Sequence, residues 1–177
     1  MKKLTFLIPV IIGAVCLLSA CGGKSGGGAA TDTTASMAAK NRQTALAVNL
    51  AVNRHDADGA VKDCTPDCVD YTDGSMKPAK GVDSVKAGLK QFFAVFPDVK
   101  GENFVAAVQG DTVIITGDWT GTFKGDLGPI KATGKPFKVA DADIYVFNKQ
   151  GKIISHRSVQ SMGTYLASAG AAMPSGH

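Results

Sequence analysis

The stretch from Val113 to Phe123 restricts the fold of this chain more than any other. Val113, Ile115, Trp119 and Phe123 share one parity, while Thr112, Thr116, Asp118, Thr120 and Thr122 share the other. A strand with that alternation has one apolar face and one wet face, as in an antiparallel sheet covered on one side. Phe104-Val105-Ala106-Ala107-Val108 precedes it across Gln109-Gly110-Asp111-Thr112, which is a hairpin signal. A glycine-rich loop follows from Gly125 to Gly134, then a strand near Phe137 to Phe147, a turn at Asn148 to Gly151, and a strand from Lys152 to about Gln160.

Before Pro97 the pattern is helical. Ala38 to Arg54 places Leu46, Leu50 and smaller apolar residues at helical spacing without proline or glycine. Asp56 to Lys62 reads as a second, short helix weakened by Gly59, and Val69-Asp70-Tyr71 as a brief strand ended by Asp73-Gly74. Asp83 is placed to cap a helix through Val85, Leu89, Phe92, Phe93 and Phe96, which Pro97 terminates. Helices first and antiparallel strands afterwards define an α+β class, with the helices packed on one face of a curved sheet.

The N-terminus carries a different message. Met1-Lys2-Lys3 is a short positive end, and Leu4 to Leu18 is an apolar run too short for a comfortable membrane span. It closes on Leu18-Ser19-Ala20-Cys21, which resembles the lipobox of bacterial lipoproteins. Residues 1–20 are therefore expected to be a signal peptide and Cys21 a lipidated residue anchoring the chain to the bacterial membrane, on the periplasmic side of an outer membrane if the source has one. Residues 21–36, with no large apolar side chain after the cysteine, read as a tether, 37–168 as one domain and 169–177 as a frayed tail. Losing Lys2 and Lys3 leaves 17 basic against 15 acidic residues, a formal net charge of +2. No basic stripe stands out, so no nucleic-acid partner is expected.

Cys16 leaves with the signal, so Cys64 and Cys68 remain. In an oxidising compartment a disulfide is the simplest reading, stabilising by ~2 kcal/mol in the chain-entropy model, and two buried thiols are the alternative. No set of histidines and cysteines at workable spacing supports a zinc site, and no cofactor is called for.

Taken together, Asn53-Arg54-His55-Asp56, Phe96-Pro97-Asp98, Gly121-Thr122 with Gly125, Thr133-Gly134-Lys135, and Gly151-Lys152-Ile153 before His156 resemble the SnoaL-like polyketide cyclase branch of the nuclear transport factor 2-like superfamily. The resemblance covers nearly all of residues 40–168. It implies a cone of strongly bent antiparallel sheet closed by helices around an apolar pocket, and in some members ring closure by an aspartate base on the last strand. The corresponding position here is Gln160, and an amide cannot accept a proton near neutral pH. The family's aromatic residue after the histidine is Arg157, and its histidine after the Gly-Thr pair is Phe123.

Two functional expectations follow. One is a membrane-anchored domain that binds a small, mostly apolar molecule, with Tyr71, Phe93, Phe96, Trp119 and Tyr145 as candidate lining residues beside Ser158 and Gln160. Aromatic residues at such spacing are equally ordinary core. The other is a cyclase or isomerase with His156 as general acid/base and Asp143 or Asp141 as its orienter, against the plain alternatives of a hydrogen-bonded sheet histidine and solvated carboxylates. A homodimer across the exposed sheet face is a third expectation.

Overall fold

The computed structural model describes residues 28–72 and 77–172, with side chains from residue 33. The expected signal, Cys21 and the Asp73-Gly74 turn lie outside the described residues.

Helix α1 (Gly28–Asn53) reaches back into the segment expected to be a tether. Ala29, Ala30 and Ala35 explain the extension, since alanine has the highest helix propensity, and residues 33–36 are exposed, so packing contributes little there. Its buried stripe runs through Asn41, Ala45, Asn49 and Val52. Asn53 ends it in a clamp, donating to Gly101 O at 2.8 Å and accepting from Gly101 N at 2.6 Å. Helix α2 (Ala57–Val61) is capped by Asp56, whose side chain accepts from Gly59 N.

Strand β1 (Cys64–Asp70) is longer than the sequence suggested, and β2 (Ala79–Lys80), which pairs with it, was not anticipated. In β1 Cys64 pairs with Ile153 and Val69 with Ser155, so the intervening residues bulge out of the ladder. Helix α3 (Val82–Val95) has Gly81 as its N-cap, with Asp83 inside the first turn rather than capping it. After it come β3 (Lys100–Gln109), β4 (Thr112–Thr122), β5 (Pro136–Phe147) and β6 (Ile153–Ser158). Helix α4 (Met162–Ser168) closes the domain and was also missed. Ser161 caps it, accepting from Thr164 N at 3.0 Å. Ala169 is fully buried and its carbonyl accepts from Thr133 Oγ1 at 2.7 Å, so the first part of the expected frayed tail is packed.

The sheet order is β2-β1-β6-β5-β4-β3, antiparallel throughout except for the parallel β1–β6 pair. The expected parity of β4 holds, with Val113, Ile115, Trp119 and Phe123 all buried. The inner face packs against the helices through Phe96, Phe123, Phe137, Tyr165 and Leu166 at one end and Val113, Ile115, Phe147 and Ile153 at the other. No helix among the described residues is long and apolar enough to cross a membrane.

Candidate functional site

Sheet register assembles the site. Asp70 on β1 pairs with His156 on β6, and His156 pairs with Tyr145 on β5, so these three lie in one row across adjacent strands. The next row holds Asp143 opposite Ser158. Asp141, Asp143 and Tyr145 share a parity on β5, as His156, Ser158 and Gln160 do beyond it, and all six line a cavity of about 290 Å³. That is the small end of the range of known small-molecule sites, ~300–1,000 Å³. Val48 and Val52 from α1, Val61 from α2, Leu89 and Phe92 from α3, and Trp119 from β4 make the rest of the wall largely apolar.

His156 is held from both sides. Its Nδ1 lies 3.2 Å from Asp70 Oδ1 and its Nε2 3.1 Å from Asp143 Oδ1. Nε2 makes a hydrogen bond to Asp143 and Nδ1 an ion-pair contact with Asp70, and a carboxylate on each side favours the doubly protonated imidazolium. Burial opposes that charge, but the hydrogen bonds to Asp143 and Asp70 and the two negative charges outweigh it and raise the pKa to about 10. Burial likewise works against ionised Asp70, yet His156 and the Thr72 N–H hold its carboxyl below the usual range. Asp143 turns its other oxygen to Asn49 Nδ2 at 3.0 Å, and Asn49 Oδ1 accepts from Tyr145 OH at 2.6 Å. Burial and the neighbouring carboxylates push the Tyr145 phenol well above its ordinary value.

Asp141 forms a second, separate knot. Ser158 Oγ at 2.6 Å and Tyr165 OH at 2.8 Å donate to one oxygen, and the backbone N–H groups of Gln160 at 2.8 Å and Ala142 at 2.6 Å donate to the other. A carboxylate so fully engaged ties β5, β6 and α4 together. Desolvation and Asp141 raise the Tyr165 phenol far above its ordinary value. Both phenols therefore stay protonated near neutral pH, and neither is a base there.

Of the expected site residues, His156, Asp143, Trp119, Tyr145, Ser158 and Gln160 converge on the cavity. Phe96 does not. It is fully buried, ring to ring with Phe137 at 5.0 Å and Phe123 at 5.9 Å, because it lies beyond the end of α3 and turns into the core. Phe93 packs on His55 at 5.0 Å, and its neighbour Phe92 takes the cavity position. Tyr71 is exposed under the Arg157 guanidinium, one residue past β1 and outside the barrier the sheet makes. The expected disulfide is not formed. Cys64 and Cys68 are free thiols that hydrogen-bond to each other across the β1 bulge, and burial, with Cys68 next, pushes Cys64 up to about 12.

Asp70, Asn49, Tyr165 and Phe92 were missed. Asn49 had a legible signal, because Asn41, Asn49 and Asn53 recur at multiples of four along the helix, which puts polar side chains on its buried stripe. Asp70 and Tyr165 had none, since their roles depend on a strand pairing and a helix that local pattern did not define.

Residues 42–167 match the model of the SnoaL-like polyketide cyclases. The chain belongs to this family. No curated protein matches it. Among solved structures, AclR from Streptomyces galilaeus, a proposed hydroxylase, is 26% identical, with 75% of this chain and 97% of that one covered at a TM-score of 0.63. A proposed SnoaL-like polyketide cyclase from Jannaschia sp. CCS1 is 21% identical over 78% and 96% of the two chains, at 0.66. A proposed polyketide cyclase from Xanthomonas campestris pv. campestris is 15% identical over 75% and 98%, at 0.67.

Most of the SnoaL-like signature residues in this chain are architectural. Besides the Asn53 clamp and the Asp56 cap, Asp98 accepts from Thr122 N and Thr122 Oγ1, each at 2.7 Å, and from Lys124 Nζ at 3.2 Å. A Cβ on Gly121 would meet the Phe137 ring at 2.7 Å, and one on Gly125 would collide with the Ala94 carbonyl. From the signature, His156 and the apolar Ile153 reach the cavity.

Proposed function

We propose that this SnoaL-like domain is a binding module that holds a small, mostly apolar molecule in its cavity, carried on a lipid anchor at Cys21 of an exported chain, and does not perform aspartate-based ring closure. The observation that supports it most is the state of the polar wall. Gln160 stands where the family's base is expected, and His156, the other candidate, is held between two carboxylates, one on each ring nitrogen. A general base must be unprotonated to accept a proton, and an imidazole with a pKa of about 10 is charged at neutral pH.

Mass spectrometry of small molecules extracted from the protein purified from its own membranes tests the binding reading. A stoichiometric apolar compound supports it. An empty protein that no apolar compound stabilises overturns it. The anchor has its own test, since metabolic labelling with palmitate should mark the wild type and not Cys21→Ala, and label in neither would remove that part. Free-thiol counting after purification from the envelope reads whether Cys64 and Cys68 become bridged there.

One observation favours catalysis as a second reading: Asp143 sits on His156 Nε2 as an orienter would. That reading requires a rate that climbs toward pH 10, where the imidazole begins to release its proton, and collapses in His156→Ala. Association of two copies across the outer sheet face, where Val105 and Ile114 are exposed, is a separate proposal that light scattering decides.

A further inference from the structure

The charge on the cavity wall narrows the class of molecule the site takes. Three carboxylates line it, Asp70, Asp141 and Asp143, against one imidazolium, His156. No lysine or arginine lines it among the described residues. The formal balance at the wall is therefore negative, and a low-dielectric surround makes that field stronger than it would be in water. An anion placed there would be repelled, and the strongest donors of the polar wall are already turned to other groups: His156 faces Asp70 and Asp143, and the Tyr145 and Tyr165 hydroxyls donate to Asn49 and Asp141, which leaves neutral amides such as that of Gln160.

One acceptor remains open. Asp70 Oδ1 takes both the His156 Nδ1 contact at 3.2 Å and the Thr72 N–H at 2.7 Å, and Oδ2 has no hydrogen bond among the described residues. Asp70 lines the same cavity as Phe92, Trp119 and Tyr145, whose ring faces attract a cation within ~6 Å. The rest of the wall is mostly aliphatic, with Asn49, Thr72, Gln91, Ser158 and Gln160 as its neutral polar members. A charged group enters such a space only if it is paired there, which an ammonium at Asp70 would be.

We propose that the ligand is an apolar organic cation, a protonated amine with its hydrocarbon body in the apolar half of the cavity and its ammonium donating to Asp70 Oδ2. This rests on the binding reading above and names the chemical class for it. No covalent step is involved.

The test is a charge series on one hydrocarbon body with the mature chain: 2-phenylethylamine, 2-phenylethanol and phenylacetate, measured by calorimetric titration at neutral pH. The amine should bind at least tenfold more tightly than the alcohol, with phenylacetate weakest. Asp70→Asn, which keeps an acceptor for His156, should reduce the amine's affinity about tenfold and bring the amine-to-alcohol affinity ratio toward one. Alcohol binding as tight as amine binding in the wild type overturns the cation proposal and leaves apolar binding standing. If none of the three binds and no compound of an apolar library stabilises the protein, the binding reading falls with it. The comparison within the wild type stands even if Asp70→Asn does not fold.

Discussion

Removing the proton from His156 is the perturbation whose consequence the structure specifies best. In the folded protein the ring holds its proton up to about pH 10, because hydrogen bonds to Asp143 and Asp70 outweigh the cost of burial. In the unfolded chain the carboxylates disperse and the pKa returns to about 6.5. A proton bound more tightly in the folded state stabilises that state. The contribution is complete below about pH 6.5 and is lost progressively as the pH rises through about 10. Each tenfold in proton affinity is worth about 1.4 kcal/mol, so the full loss amounts to a few kcal/mol, a large part of the ~5–15 kcal/mol that a domain typically has. Asp70 acts in the opposite sense at the acid end. Its depressed carboxyl contributes above the ordinary carboxylate range and ceases to as pH falls through its folded-state value. Urea unfolding at intervals between about pH 2 and pH 10, with the His156 ring followed by NMR, reads both. Stability should decline steadily on the alkaline side, and in His156→Gln that slope should flatten. A ring that titrates near 6.5, or a wild-type slope identical to that of His156→Gln, would refute the reasoning.

Other substitutions separate architecture from site. Asn53→Ala removes the partners of both the Gly101 N–H and the Gly101 carbonyl, and at ~1–3 kcal/mol for each group left unsatisfied it should destabilise by about 2–6 kcal/mol in chemical denaturation. Phe96→Ala should cost ~3–5 kcal/mol, since the ring is fully buried among Phe123, Phe137 and Tyr165, yet leave relative ligand affinities unchanged because Phe96 does not line the cavity. Phe92→Ala should instead alter which ligands bind, read as a changed rank order in thermal shift, because its ring is part of the wall.

How much was readable beforehand depends on how local each determinant is. Alternation along β4 and the parity of His156, Ser158 and Gln160 rest on neighbouring residues, and each landed on the face expected of it. The pairing of His156 with Asp143 was legible for the same reason, since adjacent strands with known faces leave few partners. Asp70 was not, because β1 pairs with β6 in parallel after a bulge, and neither feature leaves a local trace. The aromatic residues of α3 show the limit of periodicity. Phe92, Phe93 and Phe96 fall on one broad face, yet one lines the cavity, one packs on His55 and one enters the core, which depends on how the helix is rotated against the sheet. Helix α1 overran its expected start because the residues read as a tether are rich in alanine as well as in glycine and threonine.

The central claim, that the cavity is a ligand site, is tested most directly by closing it without harming the fold. Gly88 on α3 lines the cavity, and a Cβ built there meets nothing within 4 Å. Gly88 is exposed at the rim of the cavity, so Gly88→Leu adds its side chain at the mouth without a clash and replaces a helical glycine, which should stabilise the unliganded protein by up to ~1 kcal/mol. The measurement is a thermal-shift screen of wild type and Gly88→Leu against one library of small apolar alcohols and amines. A ligand at a hundredfold its Kd stabilises by ~2.7 kcal/mol, or about 5–10 °C for a domain of this size. The account predicts shifts of that order in the wild type and their loss in a Gly88→Leu protein that melts no lower. Wild-type protein that no compound shifts, or equal shifts in both proteins, would contradict it.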